Sequence, residues 1–244
     1  MEKTKYFPVT IHSVHESHST FSFPEFTAPV HIYFGQWYKG ERPEGLIIHE
    51  PAGVKLCKNK YRMKICFRDN NISSPKFWRN FPKGFRGSLV RKIEKHSQGR
   101  GMKLLRVYKE EDIPKTLKDN VYYEEYVICA EEYRVHVMDD RIFHTDLKVL
   151  RPGHRPSWVR NLEDYHYKKV DFRQVFTSDQ ANMIVDSVRV LGFTFAAVDV
   201  GKTNDGKIYI FEANSAPGMR TIIRRKYNQE LIKYILKQGL KAKE

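Results

Sequence analysis

The segment that most constrains this chain is a pair of apolar stretches, Phe195 to Val200 and Lys207 to Glu212, around the turn Asn204-Asp205-Gly206. Two short apolar runs meeting at such a turn read as an antiparallel hairpin. Side chains two apart on a strand share a face, so Glu212 and Asn214 point the same way, and Asp199 on the neighbouring strand can face them across the pair. Three hard oxygen donors then converge on a rigid sheet. That donor set suits Mg²⁺, which commonly binds through one or two carboxylates plus substrate phosphates. The competing reading is a hairpin whose acids only salt-bridge to nearby basic residues.

The rest of the chain can be organised around this hairpin. Residues 1 to 30, with Pro8, Pro24, Pro29 and the polar stretch around His12, His15 and His18, read as an irregular arm. No Cys or carboxylate is spaced to turn those histidines into a metal site. Residues 31 to 82 read as a short α/β segment: strands at 31 to 35 and 45 to 50, a helix over 60 to 67, then a turn at Asn70 to Ser74 with Pro75 at a helix start. Residues 83 to 150 read as mainly antiparallel sheet. There Gly87 to Ile93 and Met102 to Val107 flank a flexible turn, His96 to Gly101, and further strands lie at 122 to 127, 133 to 138 and from 141 onward. From 151 to 170 the chain is rich in Pro, Arg and aromatic residues without periodicity, which suits a long surface loop able to close over a site. Ala181, Ile184, Val185, Val188 and Leu191 then recur at helical spacing up to Gly192, and Asn228 to Leu240 reads as a basic helix. The unit from 151 to 244 thus carries the hairpin.

Charge and cysteine usage narrow the function classes. Forty-three Lys and Arg against 29 Asp and Glu give a formal net charge of +14. This excess concentrates anions such as phosphate-bearing metabolites, acidic peptides or nucleic acid, and the charge alone does not choose among them. No nucleic-acid recognition motif is present. Cys57, Cys66 and Cys129 match no zinc spacing and read as reduced thiols. No run of about 18 apolar residues and no leader pattern occurs, so the expectation is a soluble, cytoplasmic protein without a membrane partner. Val200-Gly201-Lys202-Thr203 resembles the end of a phosphate-binding P-loop, but Ala196 stands where its first glycine belongs and no helix follows.

The string Asp199, then Glu212-Ala-Asn214-Ser-Ala-Pro217-Gly218-Met219 thirteen positions on, resembles the ending of the ATP-grasp superfamily, in particular D-alanine:D-alanine ligase and the RimK-like glutamate ligases. The resemblance spans roughly residues 55 to 222. It implies an α/β (α+β) fold in which two sheet-bearing halves hold ATP between them, with Asp199, Glu212 and Asn214 as ligands of Mg²⁺ or Mn²⁺. It implies phosphate contacts from Lys92 and Lys60, and a mobile glycine loop at Ser97 to Gly101 with Gly99 and Gly101 close to the phosphates. An adenine-binding hinge follows at Glu124, Glu125, Tyr126 and Val127, and Glu132 is the acid on the ribose. Adjacent glutamates leave the register open between Glu124 and Glu125 and between Glu131 and Glu132. Lys148 and Arg151, and less directly Arg160 and Arg220, stand where related ligases keep cations facing the γ-phosphate or acyl intermediate. Related ligases also carry a fuller α/β domain ahead of these halves than residues 31 to 82 supply.

The implied activity is ATP-dependent ligation of a carboxylate to an amine through an acyl phosphate, on an acidic peptide, protein or nucleic-acid-linked substrate. Two alternatives stand beside it: phosphoryl transfer of the kinase type, and a nucleotide-binding regulatory module with a basic partner-binding face.

Overall fold

The computed structural model describes residues 4–13, 21–36, 40–49, 51–94, 102–109, 112, 120–160 and 163–243. In chain order the first elements are strands β1 (Val9–Ser13), β2 (Val30–Phe34) and β3 (Leu46–Ile48), followed by helices α1 (Pro51–Lys58) and α2 (Lys60–Asp69). Strands β4 (Phe77–Trp78), β5 (Gly87–Ile93), β6 (Lys103–Val107), β7 (Val121–Glu125), β8 (Glu131–Met138), β9 (Arg141–Leu150) and β10 (Tyr165–Val170) follow. The last elements are α3 (Phe172–Val175), α4 (Ser178–Arg189), β11 (Phe195–Lys202), β12 (Ile208–Asn214) and α5 (Thr221–Lys237).

These strands build three sheets: a parallel β1-β2-β3 sheet, an antiparallel β4-β7-β5-β6 sheet and an antiparallel β10-β9-β8-β11-β12 sheet. Alternation sorts the five-stranded sheet into two faces. Tyr133, Val135 and Val137 of β8, Val198 and Val200 of β11, and Ile208, Ile210 and Ala213 of β12 join Met63 and Phe67 of α2 and Ile184, Val185 and Val188 of α4 in one core. The opposite face carries Arg134, Asp146, Asp199 and Glu212. Helix α4 is fixed at its start by a capping box between Thr177 and Gln180, and Gly192 beyond its end takes φ 70°. Helix α1 comes so close to the segment after α4 that a Cβ on Gly53 would lie 2.2 Å from Leu191 O.

A second core joins the parallel sheet to α5, with Phe26, Ile32, Phe34, Phe195, Tyr227 and Leu231 buried together. His49 pins this seam. Its Nδ1 lies 2.8 Å from Tyr33 O, and its Nε2 lies 2.7 Å from Phe195 O and 3.2 Å from Phe195 N. Burial outweighs the two backbone carbonyls beside the ring nitrogens and lowers the pKa of the ring to about 4.

Three sequence expectations need correction. The arm over 1 to 30 contains β1, which gains its ladder from β2 far along the chain. Pro75 starts no helix; it leads into β4, because Phe77 and Trp78 pair with Glu124 and Tyr123 of β7. The last six residues of the expected loop, Tyr165 to Val170, are a strand registered against Thr145 to Leu150, so the connection is residues 151 to 164.

Candidate active site

Cross-strand register brings the charged residues of the five-stranded sheet into a row. Asp146 of β9 pairs with Arg134 of β8, Arg134 with Asp199 of β11, and Asp199 with Glu212 of β12. Directly paired residues share a face, so four ionised side chains from four strands lie side by side. Arg134 clasps Asp199 in a fork, Nε to Oδ1 at 2.8 Å and Nη2 to Oδ2 at 2.9 Å. Burial alone would raise the Asp199 carboxyl; Arg134 and then Lys148 outweigh it and hold the group below the usual carboxylate range. Glu212 obeys the same logic. Burial opposes its charge, while Lys60 Nζ at 3.1 Å from Oε2 and the Asn214 amide at 2.8 Å from Oε1 keep it ionised.

Helix α2 supplies two lysines, one turn apart, to two different sheets. Lys60 reaches Glu212, and its backbone N–H donates to Glu94 O just past β5. Lys64, 1% exposed, donates to Ile210 O of β12 at 3.2 Å and lies 3.2 Å from Oε2 of Glu124 on β7. Burial in this position lowers the Lys64 pKa to about 8 despite Glu124. Lys92 of β5 completes the group by donating to Glu124 Oε1 at 2.6 Å.

The connector from β7 to β8 crosses between the two sheets. Glu125 N–H donates to Lys76 O and Tyr126 N–H to Ser88 O, which leaves the N–H groups of Val127 and Ile128 without a backbone acceptor among the described residues. Glu132 lies 3.2 Å from Lys148 Nζ and 3.5 Å from Arg160 Nε. Arg160 also donates to Cys129 O and Ala130 O.

The structure therefore brings Lys60, Lys92, Glu124, Glu132, Lys148, Asp199, Glu212 and Asn214 into one cluster of charged and polar groups, tied together by Lys64 and Arg134. Glu124 stands apart from the exposed hinge backbone, since its side chain is buried between Lys64 and Lys92. Arg220 reaches this face one strand further on, holding both oxygens of Asp146 at 3.1 and 3.0 Å. Arg160 is drawn to the connector and away from Asp199, and Arg151 is exposed at the base of the 151–164 connection, where its N–H donates to Asp164 O. Gly99 and Gly101 lie outside the described residues. Sequence reasoning missed Arg134, Lys64 and Asp146. The alternation of Arg134 and His136 against Tyr133 and Val135 is the signal that places Arg134 on the polar face.

The donor set fits a hard divalent cation. Asp199 and Glu212 are paired and ionised, and the Asn214 amide nitrogen is committed to Glu212, so its carbonyl oxygen remains as a neutral donor. No group of three His, Cys, Asp or Glu residues able to hold a metal occurs among the described residues.

No family model matches the sequence, and no curated protein matches it. Solved structures do match. The ATP-grasp ligase PsnB complexed with minimal precursor aligns at 14% identity and TM-score 0.59, covering 80% of this chain and 64% of that one. The D-alanine–D-alanine ligase from Bacillus anthracis complexed with ATP aligns at 18% and 0.56, covering 76% and 67%. N5-carboxyaminoimidazole ribonucleotide synthetase from Thermotoga maritima aligns at 15% and 0.52, covering 78% and 52%. The chain aligns with under two thirds of the length of most of these structures, 61% to 64% for PsnB. Over three quarters or more of its length the chain superposes on these ATP-grasp structures, and its two antiparallel sheets joined by a connector have the ATP-grasp fold.

Proposed function

We propose that the protein is an ATP-dependent carboxylate-amine ligase that uses Mg²⁺, or Mn²⁺ in its place. The observation that carries this reading is the registered pair Asp199 and Glu212 with Asn214 beside it, on the sheet face opposite the buried core. Asp199, Glu212 and Asn214 would hold the metal, which when bound neutralises charge on the nucleotide phosphates. Arg134 orients Asp199 so that its oxygens stay ionised. Lys60 and Lys92 are positive groups within reach of a triphosphate, each now turned to a carboxylate that it can share with an arriving phosphate. The N–H groups of Val127 and Ile128 offer the edge of a base its hydrogen bonds, and Glu132 accepts from ribose hydroxyls. Lys148, beside Glu132 and near Asp199, is the cation we assign to negative charge on an acyl phosphate and on the oxyanion formed when an amine displaces phosphate. Arg220, held on Asp146, is a second and more distant cation for the acyl intermediate.

The solved PsnB structures include one with a precursor peptide. With a net charge of +14, an acidic peptide is the substrate class we expect here. Incubation with ATP, Mg²⁺ and pools of acidic peptides or amino acids, with hydroxylamine to trap an acyl phosphate, tests the reading. ADP and a hydroxamate that appear only with one pool, and vanish in Glu212→Gln, support it. A phosphorylated product formed without any need for an amine overturns the ligase in favour of phosphoryl transfer.

A further inference from the structure

A cavity of about 580 Å³ lies beside the connector, on the side of the four-stranded sheet that carries Lys92. Ser88 pairs with Arg106 and Val90 with Leu104, so these residues share a face with Lys92. Leu104 and Arg106 form one wall, Tyr126 and Ile128 the second, and Pro156 and Trp158 of the 151–164 connection the third. Trp158 stands edge-on to Tyr126, with ring centroids 6.5 Å apart and an angle of 76° between the planes. Ile128, a large apolar side chain in this lining, is 77% exposed.

The connection that bears Trp158 is seated on the connector. At its base Arg151 N–H donates to Asp164 O, and His154 Nδ1 lies 3.1 Å from Asp164 Oδ1. Further along, Arg160 donates to Cys129 O at 2.7 Å and to Ala130 O at 3.2 Å, two residues from Trp158. Flat aromatic and apolar walls, next to backbone N–H groups that have no backbone acceptor among the described residues, fit a planar heterocycle that offers acceptors on its edge. Among the described residues that line the cavity, Arg106 is the one cation a phosphate or a carboxylate would meet.

Resting on the nucleotide reading above, we infer that Trp158 is a base-contacting residue. Its ring closes the outer wall of the base cavity against Tyr126, and Arg160 is the positioning residue that sets its orientation. The connection between β9 and β10 thereby contributes to nucleotide affinity from outside the two sheets.

The test is titration of the full chain with ADP, followed by tryptophan fluorescence, in wild type, Trp158→Phe, Trp158→Ala and Arg160→Ala. Inorganic tripolyphosphate, which lacks the base, is titrated in parallel by calorimetry. ADP should change wild-type emission, and Trp158→Phe should abolish that change although Trp37 and Trp78 remain. Losing a stacking partner should weaken ADP binding about tenfold in Trp158→Ala, with tripolyphosphate binding unaltered. Arg160→Ala should shift the Trp158 emission to the red before any nucleotide is added, a signature that a merely stabilising arginine would not give. Equal ADP affinity in wild type and Trp158→Ala overturns the inference while the nucleotide reading stands. Parallel weakening of ADP and tripolyphosphate overturns it as a loss of the whole site. A wild type that binds neither ligand removes the nucleotide reading and the inference together.

Discussion

The two antiparallel sheets handle buried charge in different ways. In the five-stranded sheet the answer lies largely within the sheet: Asp146, Arg134, Asp199 and Glu212 alternate in sign across four strands, apart from the adjoining acids Asp199 and Glu212 at the end of the row. The four-stranded sheet has one deeply buried acid, Glu124, answered by Lys92 of its own strand β5 and by Lys64 from helix α2. The end where two acids adjoin is the end that needs a cation from elsewhere, and Lys60 of the same helix reaches it. Helix α2 is therefore the electrostatic tie between the sheets, and the row within the five-stranded sheet is the element that can present carboxylates to a metal.

The strongest way to break this contrast is Arg134→Met. It leaves Asp199 buried without its fork, and breaking such a pair should cost about 4 kcal/mol in denaturant unfolding. Lys64→Met should cost less, about 2 kcal/mol, because Lys92 still answers Glu124. A Lys64→Met loss as large as that of Arg134→Met would mean that the helix, and not the sheet, governs the charge balance.

Acidification probes the seam outside both sheets. His49, with its pKa lowered to about 4, binds its proton more weakly when folded than when unfolded. Stability is therefore complete above the unfolded value and falls as pH drops from about 6.5 toward 4. Between pH 7 and pH 5 this one group should account for about 2 kcal/mol. His136, lowered to about 3, adds a loss of the same sign. His49→Gln should flatten the slope of stability against pH in that window, as read by thermal unfolding. The smallest effect belongs to Arg220→Ala. Arg220 is half exposed and Asp146 keeps His144 at 3.0 Å, so the loss should stay near or below about 1 kcal/mol.

How much of this was legible follows from the range of the signals. Asp199, Glu212 and Asn214 sit on one hairpin, where alternation and one turn place them, so the sequence exposes them directly. The partners that make them usable come from far along the chain: Arg134 lies 65 positions from Asp199, and Lys64 lies 146 from Ile210. No local period encodes such a pairing. Strand β1 was hidden for the same reason, since its hydrogen bonds come from β2, and β10 was hidden because Tyr165 to Val170 has polar side chains suited to an edge strand. Arg160 illustrates the reverse case. A basic residue between the connector and the metal strands looks placed for acyl chemistry, yet its guanidinium meets two carbonyls of the connector first.

The central claim, that the row ending in Asp199 and Glu212 is a metal-nucleotide site, is tested most directly by calorimetric titration with a non-hydrolysable ATP analogue with and without Mg²⁺. Mg²⁺ should tighten binding in wild type and have no effect in the Asp199→Asn, Glu212→Gln double variant. Equal affinity with and without Mg²⁺ in wild type would contradict the account.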